Sequence, residues 1–328
     1  MNADFEVELA HDAVGPARAY RRTLGLDALN RRLAPHLLRL ARPGDALLYE
    51  VPWARALADE ARSRRVELVS PYAAGRGRKP QAGRLFTPWG WTRSAAEEGR
   101  VVGADVRPLN FDIVARVNSK LWSHALEVEM GWALDGACVA HTPEELTGAA
   151  ARACPGADDK WVVKSPFGFA ARERVLGRGP RVEGPQGAWA SKRLARGEPL
   201  IFQPWLEVKR EYGVVVEVSN EGAHRLLGVS DLQTNGAGTG TGYMLGRPPE
   251  PERTKELERV AAVVCERLRA EGYFGPAGFD ALEHAGGLHP LLEVNARYTM
   301  GFVALAVERE LRPRAPVFWS TKAAWPGG

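Results

Sequence analysis

The sequence predicts a mixed α/β and α+β protein, with a small N-terminal α/β unit ahead of an antiparallel region. In the first part, Ala46–Val51 and Val66–Ser70 have the apolar character of strands, and Trp53–Arg64 between them has helical spacing. This order, with short connections, predicts a parallel pair with a crossover helix, as in a Rossmann-like unit. No GxGxxG motif follows the first strand, so a dinucleotide site is not predicted. Near the C-terminus, Gly278–Arg297 holds two strand patterns around a glycine turn, which predicts an antiparallel hairpin.

The composition is that of a globular protein with room for two or three lobes. The chain has 328 residues, of which 45% are hydrophobic and 26% are charged. No apolar run reaches the roughly 18 residues of a membrane span, and the acidic N-terminus lacks the apolar core of a signal peptide. Cys138, Cys154 and Cys265 are scattered, which argues against a disulfide framework or a cysteine zinc site. We therefore expect a cytoplasmic protein that does not bind a membrane.

Charge does not point to nucleic acid. The net charge is +4, and the 44 basic residues are interleaved with 40 acidic ones. The densest basic cluster, Arg76–Arg84, is a short stretch with the character of a loop. An ordinary solvated surface explains this pattern best, although an anionic substrate is also compatible with it.

The remaining elements follow from periodicity and from capping residues. Thr142 followed by Pro143 and Glu145 is a capping box that opens a helix. Helices are predicted at Arg31–Leu40, at Asp112–Met130 with a break near Asn118, and at Thr142–Ala153, Gln186–Arg196, Glu252–Ala270 and Thr299–Leu311. Strands are predicted at Trp161–Ser165, Leu200–Gln203, Arg210–Val218 and Arg225–Asp231, the last two as antiparallel neighbours. We expect a glycine-rich loop at Gly236–Gly242, packing at the Pro88–Trp91 turn, and an irregular tail after Arg312.

The predicted hairpin carries polar side chains suited to magnesium and phosphate. Glu293, Asn295 and Arg297 share one face because side chains alternate along a strand, and Asp280 on the partner strand can lie beside them. Magnesium prefers oxygen ligands, commonly one or two carboxylates completed by substrate phosphates. A solvated outer face is the alternative, but apolar residues on both sides of the pleat favour a buried strand. The two histidines near the turn, His284 and His289, are expected to face solvent.

Three more polar residues interrupt otherwise apolar strands. Lys164 ends a strand beside a loop that contains Gly168, which suits phosphate binding because the ammonium supplies charge and the loop supplies amides. Gln203 and Glu211 stand at the end of one strand and near the start of the next. Taken singly, each is compatible with a surface position.

In this order and at these separations, the chain from about Val117 to Arg297 resembles the ATP-grasp superfamily, especially carboxylate–amine ligases of the D-alanine–D-alanine ligase type. The resemblance assigns Lys120 and Lys164 to ATP phosphates. Phe202–Leu206 resembles the hinge between the lobes, which puts Gln203, Trp205 and Leu206 at the adenine. Arg210–Tyr212 resembles the strand whose glutamate, here Glu211, holds the ribose hydroxyls.

The same resemblance assigns the hairpin. Gly278–Asp280 and Leu292–Arg297 look like the two metal-ligand strands of the family. By that resemblance Asp280, Glu293 and Asn295 bind two Mg²⁺ ions, with Mn²⁺ as an alternative. Arg297, together with Lys164, is then a catalytic residue and faces the acyl phosphate.

Some positions depart from the family pattern. Ser165 replaces the usual proline, and the phosphate loop has the single glycine Gly168. Arg172 and Arg174 either compensate by reaching the phosphates or are simply exposed. Gln203 occupies a hinge position that is often acidic. These departures concern the substrate class more than the fold.

The resemblance implies a domain order and a function. We expect an N-terminal α/β domain at 1–115, a small ATP-grasp lobe at 116–202, and at 203–328 a large lobe that carries the metal face. The implied activity is ATP-dependent ligation of a small carboxylate to an amine through an acyl phosphate. Other ATP-grasp chemistry (carboxylation or phosphotransfer) and a nucleotide-binding scaffold without turnover are the alternatives. A homodimer is compatible with the sequence.

Overall fold

The computed structural model describes residues 1–13, 15, 19–49, 52–70, 81, 83–168, 173–222 and 224–320. The densest basic cluster and the second half of the phosphate loop, including Arg172, lie mostly outside these ranges. No helix in the described ranges is long and apolar enough to cross a membrane.

The N-terminal unit contains a short parallel sheet flanked by helices. Its elements are α1 (Phe5–Ala13), α2 (Leu24–Leu33), a 3₁₀ helix (Ala34–Arg39), β1 (Ala46–Leu48), α3 (Arg55–Ser63), β2 (Glu67–Val69) and α4 (Arg93–Val101). β1 and β2 pair in parallel with α3 between them, as predicted. The Rossmann-like character of this unit stays a prediction.

The predicted helix at Arg31–Leu40 is wrong in its bounds. The α-helix ends at Leu33, and a 3₁₀ helix continues to Arg39. Pro35 is the physical reason, because proline has no N–H to donate to the carbonyl four residues earlier.

The middle of the chain forms a four-stranded antiparallel sheet backed by two helices. Its elements are α5 (Phe111–Val117), α6 (Lys120–Glu129), β3 (Cys138–Ala140), α7 (Pro143–Ala153), β4 (Lys160–Lys164), β5 (Arg174–Arg178), α8 (Gly184–Leu194) and β6 (Leu200–Pro204). The strand order is β3-β6-β4-β5. Trp161, Val163 and Phe202 turn their side chains to a core that includes α7 and α8. The residues between them therefore face the opposite side, where the site lies.

The last part of the chain forms a six-stranded antiparallel sheet. Its elements are β7 (Arg210–Val218), β8 (His224–Thr234), β9 (Gly240–Leu245), α9 (Pro251–Ala270), β10 (Gly275–His284), β11 (Gly287–Asn295), α10 (Met300–Leu311) and β12 (Val317–Trp319). The strand order is β11-β10-β7-β8-β9-β12. Tyr212, Val214 and Phe279 pack in one core with residues of α5 and α9. The predicted hairpin is confirmed as β10 and β11.

Several elements differ from the sequence prediction. Gly240–Leu245 is a strand, so the glycine-rich loop is shorter than Gly236–Gly242, and the tail contains the strand Val317–Trp319. The sequence did not predict α1, α4, β3 or β5. Trp89 is buried, and the Cα of Gly90 lies so close to Phe5 that an added Cβ would come within 2.5 Å of the ring. The Pro88–Trp91 turn therefore packs against α1, as expected for a structural turn. The sheets occupy residues 138–204 and 210–319, and the predicted domain boundaries stay a prediction.

Candidate nucleotide-binding site

A cleft of about 280 Å³ lies between the two larger sheets. Eight of the ten residues predicted for the site line it: Lys120, Lys164, Gln203, Trp205, Leu206, Glu211, Asp280 and Glu293. The lining also includes apolar side chains, among them Leu134, Val162 and Leu206. The cleft therefore combines an apolar surface with a cluster of charges, as a nucleotide requires.

One wall of the cleft is formed by alternate side chains of the four-stranded sheet. Val162 and Lys164 on β4 face the cleft, and Gln203 on β6 is the register partner of Val162. The ammonium of Lys164 donates to Gln203 Oε1 at 2.7 Å. Burial lowers the pKa of Lys164 to about 8, although the charge of Glu293 opposes the shift. The amine of Lys164 is therefore protonated below about pH 8 and loses its charge above it.

Lys120 reaches the cleft because the helix pattern breaks before it. Ser119 caps α6 by accepting a hydrogen bond from the backbone of Leu121 at 3.2 Å. Lys120 then forms an ion pair with Glu293 and donates to the carbonyl of Gly168 at 3.2 Å. The break near Asn118 predicted from the sequence therefore positions the first lysine.

Two side chains around that break fix α6 to strand β11. Asn118 Oδ1 accepts from the backbone N–H of Ala296 at 2.8 Å, and Ser123 Oγ accepts from the N–H of Val294 at 3.0 Å. β11 is the edge strand of its sheet, so these N–H groups have no strand partner there. These two hydrogen bonds fix the position of α6, which carries Lys120, relative to β11, which carries Glu293.

Asp280 and Glu293 are direct partners across the β10–β11 ladder. Burial raises the pKa of Asp280 well above its usual range, and the neighbouring carboxylates Glu293 and Glu211 raise it further. Burial acts in the same direction on Glu293, but the ion pair with Lys120 outweighs it and lowers its pKa. The pair therefore holds less than two full negative charges unless a cation joins it.

The carboxylate pair fits a divalent cation whose coordination is completed by phosphate. Among the described residues, no group of three or more His, Cys, Asp or Glu side chains could hold a metal ion. Asp280 and Glu293 supply two hard oxygen ligands whose mutual repulsion a cation would relieve, and Mg²⁺ is commonly bound in this incomplete way. Asn295 lies two residues along the same strand, and its Oδ1 accepts from Arg297 Nη2 at 2.8 Å.

Glu211 stands on the large-lobe wall beside a residue that the sequence analysis missed. Thr234 Oγ1 donates to Glu211 Oε1 at 2.9 Å, and both residues line the cleft. Burial raises the pKa of Glu211, although the hydrogen bond from Thr234 and the charge of Arg174 oppose the shift. One carboxylate oxygen is thereby fixed, and Oε2 is the other acceptor of the group.

A contact between the four-stranded and six-stranded sheets lies beside Trp205, one of the predicted hinge residues. Arg174, on β5, donates to the carbonyl of Ala237 in the β8–β9 loop, and its guanidinium lies 5.9 Å from the ring of Trp205. Gly238 in that loop has a φ of +67°, and a Cβ there would meet Trp205 at 3.1 Å. Arg174 lines the cleft, so it is not a merely exposed arginine.

Arg297 is not among the residues that line the cleft. Its guanidinium forms an ion pair with Glu6 of α1, and its Nη1 donates to the carbonyl of Tyr298 at 2.9 Å. The structure thus brings eight predicted residues together in the lining, whereas Asn295 and Arg297 lie outside it and Arg297 contacts the N-terminal helix. No sequence motif marked Glu6.

The expectation that His289 faces solvent is wrong. His289 is 2% exposed because α6 covers this part of β11, and its Nε2 lies 2.9 Å from Glu127 Oε1. Glu127 Oε2 in turn lies 3.2 Å from His124 Nδ1. No sequence signal singled out Glu127, which stands one turn beyond His124 on an amphipathic helix.

No family model matches the sequence, and no curated protein matches it. Among solved structures, N5-carboxyaminoimidazole ribonucleotide synthetase from Thermus thermophilus is 18% identical with a TM-score of 0.54, covering 88% of this chain and 78% of that chain. A biotin carboxylase β,γ-ATP complex from Campylobacter jejuni is 12% identical with a TM-score of 0.56, covering 84% of this chain and 65% of that chain.

A third similar structure is the biotin carboxylase domain dimer of Hydrogenobacter thermophilus 2-oxoglutarate carboxylase, in complex with MgADP, ADP and bicarbonate. It is 13% identical with a TM-score of 0.54, covering 87% of this chain and 67% of that chain. These likenesses confirm the fold predicted from the sequence: the chain has the two-lobed ATP-grasp fold.

Proposed function

We propose that this protein is an ATP-dependent ligase that joins a small-molecule carboxylate to an amine through an acyl phosphate. The observation that carries the proposal is the cleft itself. Two lysines, Lys120 and Lys164, line the cleft together with the paired carboxylates Asp280 and Glu293, and the predicted hinge residues Trp205 and Leu206 line the same cavity. A triphosphate and a base need these two environments in one groove.

The proposed roles follow from position. Lys120 and Lys164 bind the phosphates, Glu211 binds the ribose hydroxyls, and Trp205 with Leu206 contacts the base. Gln203 stands at the base end, between the phosphate lysine Lys164 and the hinge.

Asp280, Glu293 and Asn295 would hold magnesium against the phosphates. When bound, Mg²⁺ neutralises the charge that develops on the transferred phosphoryl group. We propose two ions, with Mn²⁺ as an alternative. The pairing of Asp280 with Glu293 supports at least one such ion, because a cation would relieve the repulsion between the two carboxylates.

The reaction begins with activation of the acid. A carboxylate oxygen attacks the γ-phosphorus of ATP, a new P–O bond forms, the bond to the β-phosphate oxygen breaks, and ADP leaves. The lysine cations stabilise the charge on the phosphoryl oxygens, and positioning rather than covalent catalysis supplies most of the rate enhancement.

Ligation follows by attack of the amine nitrogen on the acyl carbon. A C–N bond forms, inorganic phosphate leaves as the C–O bond breaks, and the amine releases its proton. Arg297 would stabilise the oxyanion of the tetrahedral intermediate; losing one such donor costs on the order of a hundredfold in rate. This role requires the carboxylate substrate to bind beside the Arg297 guanidinium, close to its hydrogen bond with Glu6.

A second candidate is ATP-dependent carboxylation of an amine, in which bicarbonate is the acid. Two of the similar solved structures favour it, because they are an N5-carboxyaminoimidazole ribonucleotide synthetase and a carboxylase domain in complex with bicarbonate. ADP release that depends on bicarbonate, measured beside a panel of organic acids, separates the two candidates. With the organic acids, trapping by hydroxylamine identifies a stable acyl phosphate.

The metal assignment is tested by Asp280→Asn and Glu293→Gln. Each should abolish substrate-dependent ADP release while the far-ultraviolet circular dichroism stays that of the unmodified chain. Glu217→Gln is the matched control, because Glu217 lies on the neighbouring strand β7 and pairs with Arg225 outside the cleft. Full turnover in both cleft variants would contradict the assignment. Tight MgATP binding without ADP release for any acid and amine would favour a scaffold without turnover.

We also propose a cytoplasmic location, which the three free cysteines support. The dimeric state named for one similar structure supports a homodimer. Size-exclusion chromatography with light scattering tests the oligomeric state.

A further inference from the structure

The side chain of Gln203 is held in one orientation by partners of opposite character. It is 4% exposed, its Oε1 accepts from Lys164 Nζ at 2.7 Å, and its Nε2 donates to Glu127 Oε2 at 3.4 Å. An ammonium can only donate and a carboxylate can only accept, so exchanging the two ends of the amide would break both contacts. The oxygen of Gln203 is thereby directed to the Lys164 side.

Glu127, the partner of the Gln203 amide nitrogen, lies in the protein interior. It is 1% exposed and lies between His124 and His289, at 3.2 Å and 2.9 Å. Burial alone would raise its pKa, but the hydrogen bond with His124, the neighbouring His289 and the charge of Lys164 outweigh burial and lower it. A buried carboxylate that stays ionised is a permanent acceptor, which a neutral side chain would not be.

The position of Gln203 makes its oxygen relevant to the base. Gln203 comes directly before the hinge residues Pro204, Trp205 and Leu206, all of which line the cleft. Val162, its register partner, and Leu206 make this part of the lining apolar. A carbonyl oxygen has two lone pairs, and only one is used by Lys164.

We propose that Glu127 is a specificity-determining residue that acts through Gln203: it fixes the amide so that the cleft presents an acceptor, and thereby selects a nucleotide base with an exocyclic amino group, such as adenine, over a base with a carbonyl at that position, such as guanine. The inference rests on the proposed function. Where the family pattern has an acidic hinge residue, the oxygen needs no orientation. Here an amide stands in its place, and Glu127 supplies the orientation.

The test is equilibrium binding of ATP and GTP, without magnesium and without acid substrate, to Glu127→Gln, Gln203→Glu and the double exchange. The unmodified chain should prefer ATP. Glu127→Gln should reduce the ATP to GTP preference by about tenfold or more, because an amide at 127 accepts or donates, so that only Lys164 still favours one orientation of Gln203. Gln203→Glu should weaken binding of both nucleotides because two carboxylates then face each other.

The double exchange restores one carboxylate and one amide, with the carboxylate now at position 203. It should recover the ATP preference to within about threefold of the unmodified chain. Glu129→Gln is the matched control, because Glu129 lies on the same helix but pairs with Arg267 at the surface. An unchanged preference in Glu127→Gln, or no recovery in the double exchange, would overturn the inference.

A measurement on the unmodified chain covers the case in which Glu127→Gln does not fold. Purine riboside triphosphate lacks the exocyclic amino group and should bind about tenfold more weakly than ATP; equal affinities would overturn the inference. Failure of the proposed function has a different signature, because a chain that binds neither ATP nor GTP contradicts the nucleotide site itself. A chain that turns over ATP but keeps its base preference in Glu127→Gln contradicts only the role of Glu127.

Discussion

Arg297 Nε donates a hydrogen bond to Glu6 Oε1 at 2.8 Å, which joins the segment that follows β11 to α1. Both side chains are largely buried, at 13% and 8% exposure. A buried guanidinium requires a compensating charge, and here the N-terminal unit supplies it. The residue proposed to meet the acid is thus oriented by the N-terminal unit, of which none of the described residues lines the cleft.

We predict that Glu6→Gln slows ligation while leaving ATP affinity unchanged. Without the carboxylate, Arg297 loses its ion-pair partner and keeps only its hydrogen bonds to Asn295 and Tyr298, so kcat should fall on the order of tenfold, less than the hundredfold expected for loss of the guanidinium itself. Steady-state kinetics with a separate ATP binding measurement check this. Asp12→Asn, at the exposed end of the same helix, is the control. Equal loss of ATP affinity would show that Glu6 supports the cleft as a whole.

ATP binding should weaken as the pH rises through about 8. The folded pKa of Lys164 is lowered to about 8, so its amine is charged below that pH and progressively neutral above it. A neutral amine does not attract phosphate, so affinity should fall by up to about tenfold per pH unit above 8.

The measurement is magnesium-free ATP affinity from pH 6.5 to 9.5, compared with Lys164→Arg. Arginine stays charged over this range, so its profile contains only the titration of other groups such as Asp280. The ratio of the two profiles isolates Lys164. Parallel profiles would mean that Lys164 does not titrate in this range.

Arg174 should slow the release of nucleotide. It links the small sheet to the β8–β9 loop through the carbonyl of Ala237 and lies beside Trp205. Removing one charge-assisted hydrogen bond should increase the ATP dissociation rate about tenfold. Stopped-flow displacement with Arg174→Ala measures this. Arg178→Ala, on the same strand but exposed, serves for comparison, and equal rates in both variants would contradict the prediction.

Acid should remove one contribution to stability through Asp4. Burial opposes its ionisation, but hydrogen bonds from Arg22, Asn30 and Tyr20 outweigh burial and lower its pKa. A lowered folded pKa stabilises the fold above the unfolded value of roughly 4, and this contribution is lost as the pH falls through the folded pKa.

Asp4→Asn should therefore cost about 1–3 kcal/mol in the free energy of unfolding at pH 7 and progressively less below pH 4. Denaturant titrations of both chains at several pH values measure the difference. A difference that stays constant down to pH 3 would show that the cost comes from packing and not from the charge of Asp4.

The sequence predicted the parts of the site that depend on local pattern. Strand alternation placed Asp280 opposite Glu293, and the helix break near Asn118 exposed Lys120 to the cleft. The short strands β3, β5 and β12 were missed because three to five residues carry too little periodicity.

Other parts could not be predicted because they depend on distant packing. Glu6 acquires its role only when α1 meets Arg297, at the other end of the chain. His289 was expected at the surface because a hairpin turn is usually exposed, but α6 covers that face of β11. The environment of Glu127 depends on the packing of three elements, since its partners come from α6, β6 and β11.

The two hydrogen bonds that join α6 to strand β11 also affect how copies of this chain can associate. An edge strand with free N–H groups is a template for intermolecular β-pairing and for aggregation. Here the N–H groups of Val294 and Ala296 are bound to Ser123 and Asn118. A strand from a second copy could extend the sheet at these positions only by displacing the helix that carries Lys120, so the position of this lysine and the shielding of the sheet edge depend on the same two contacts.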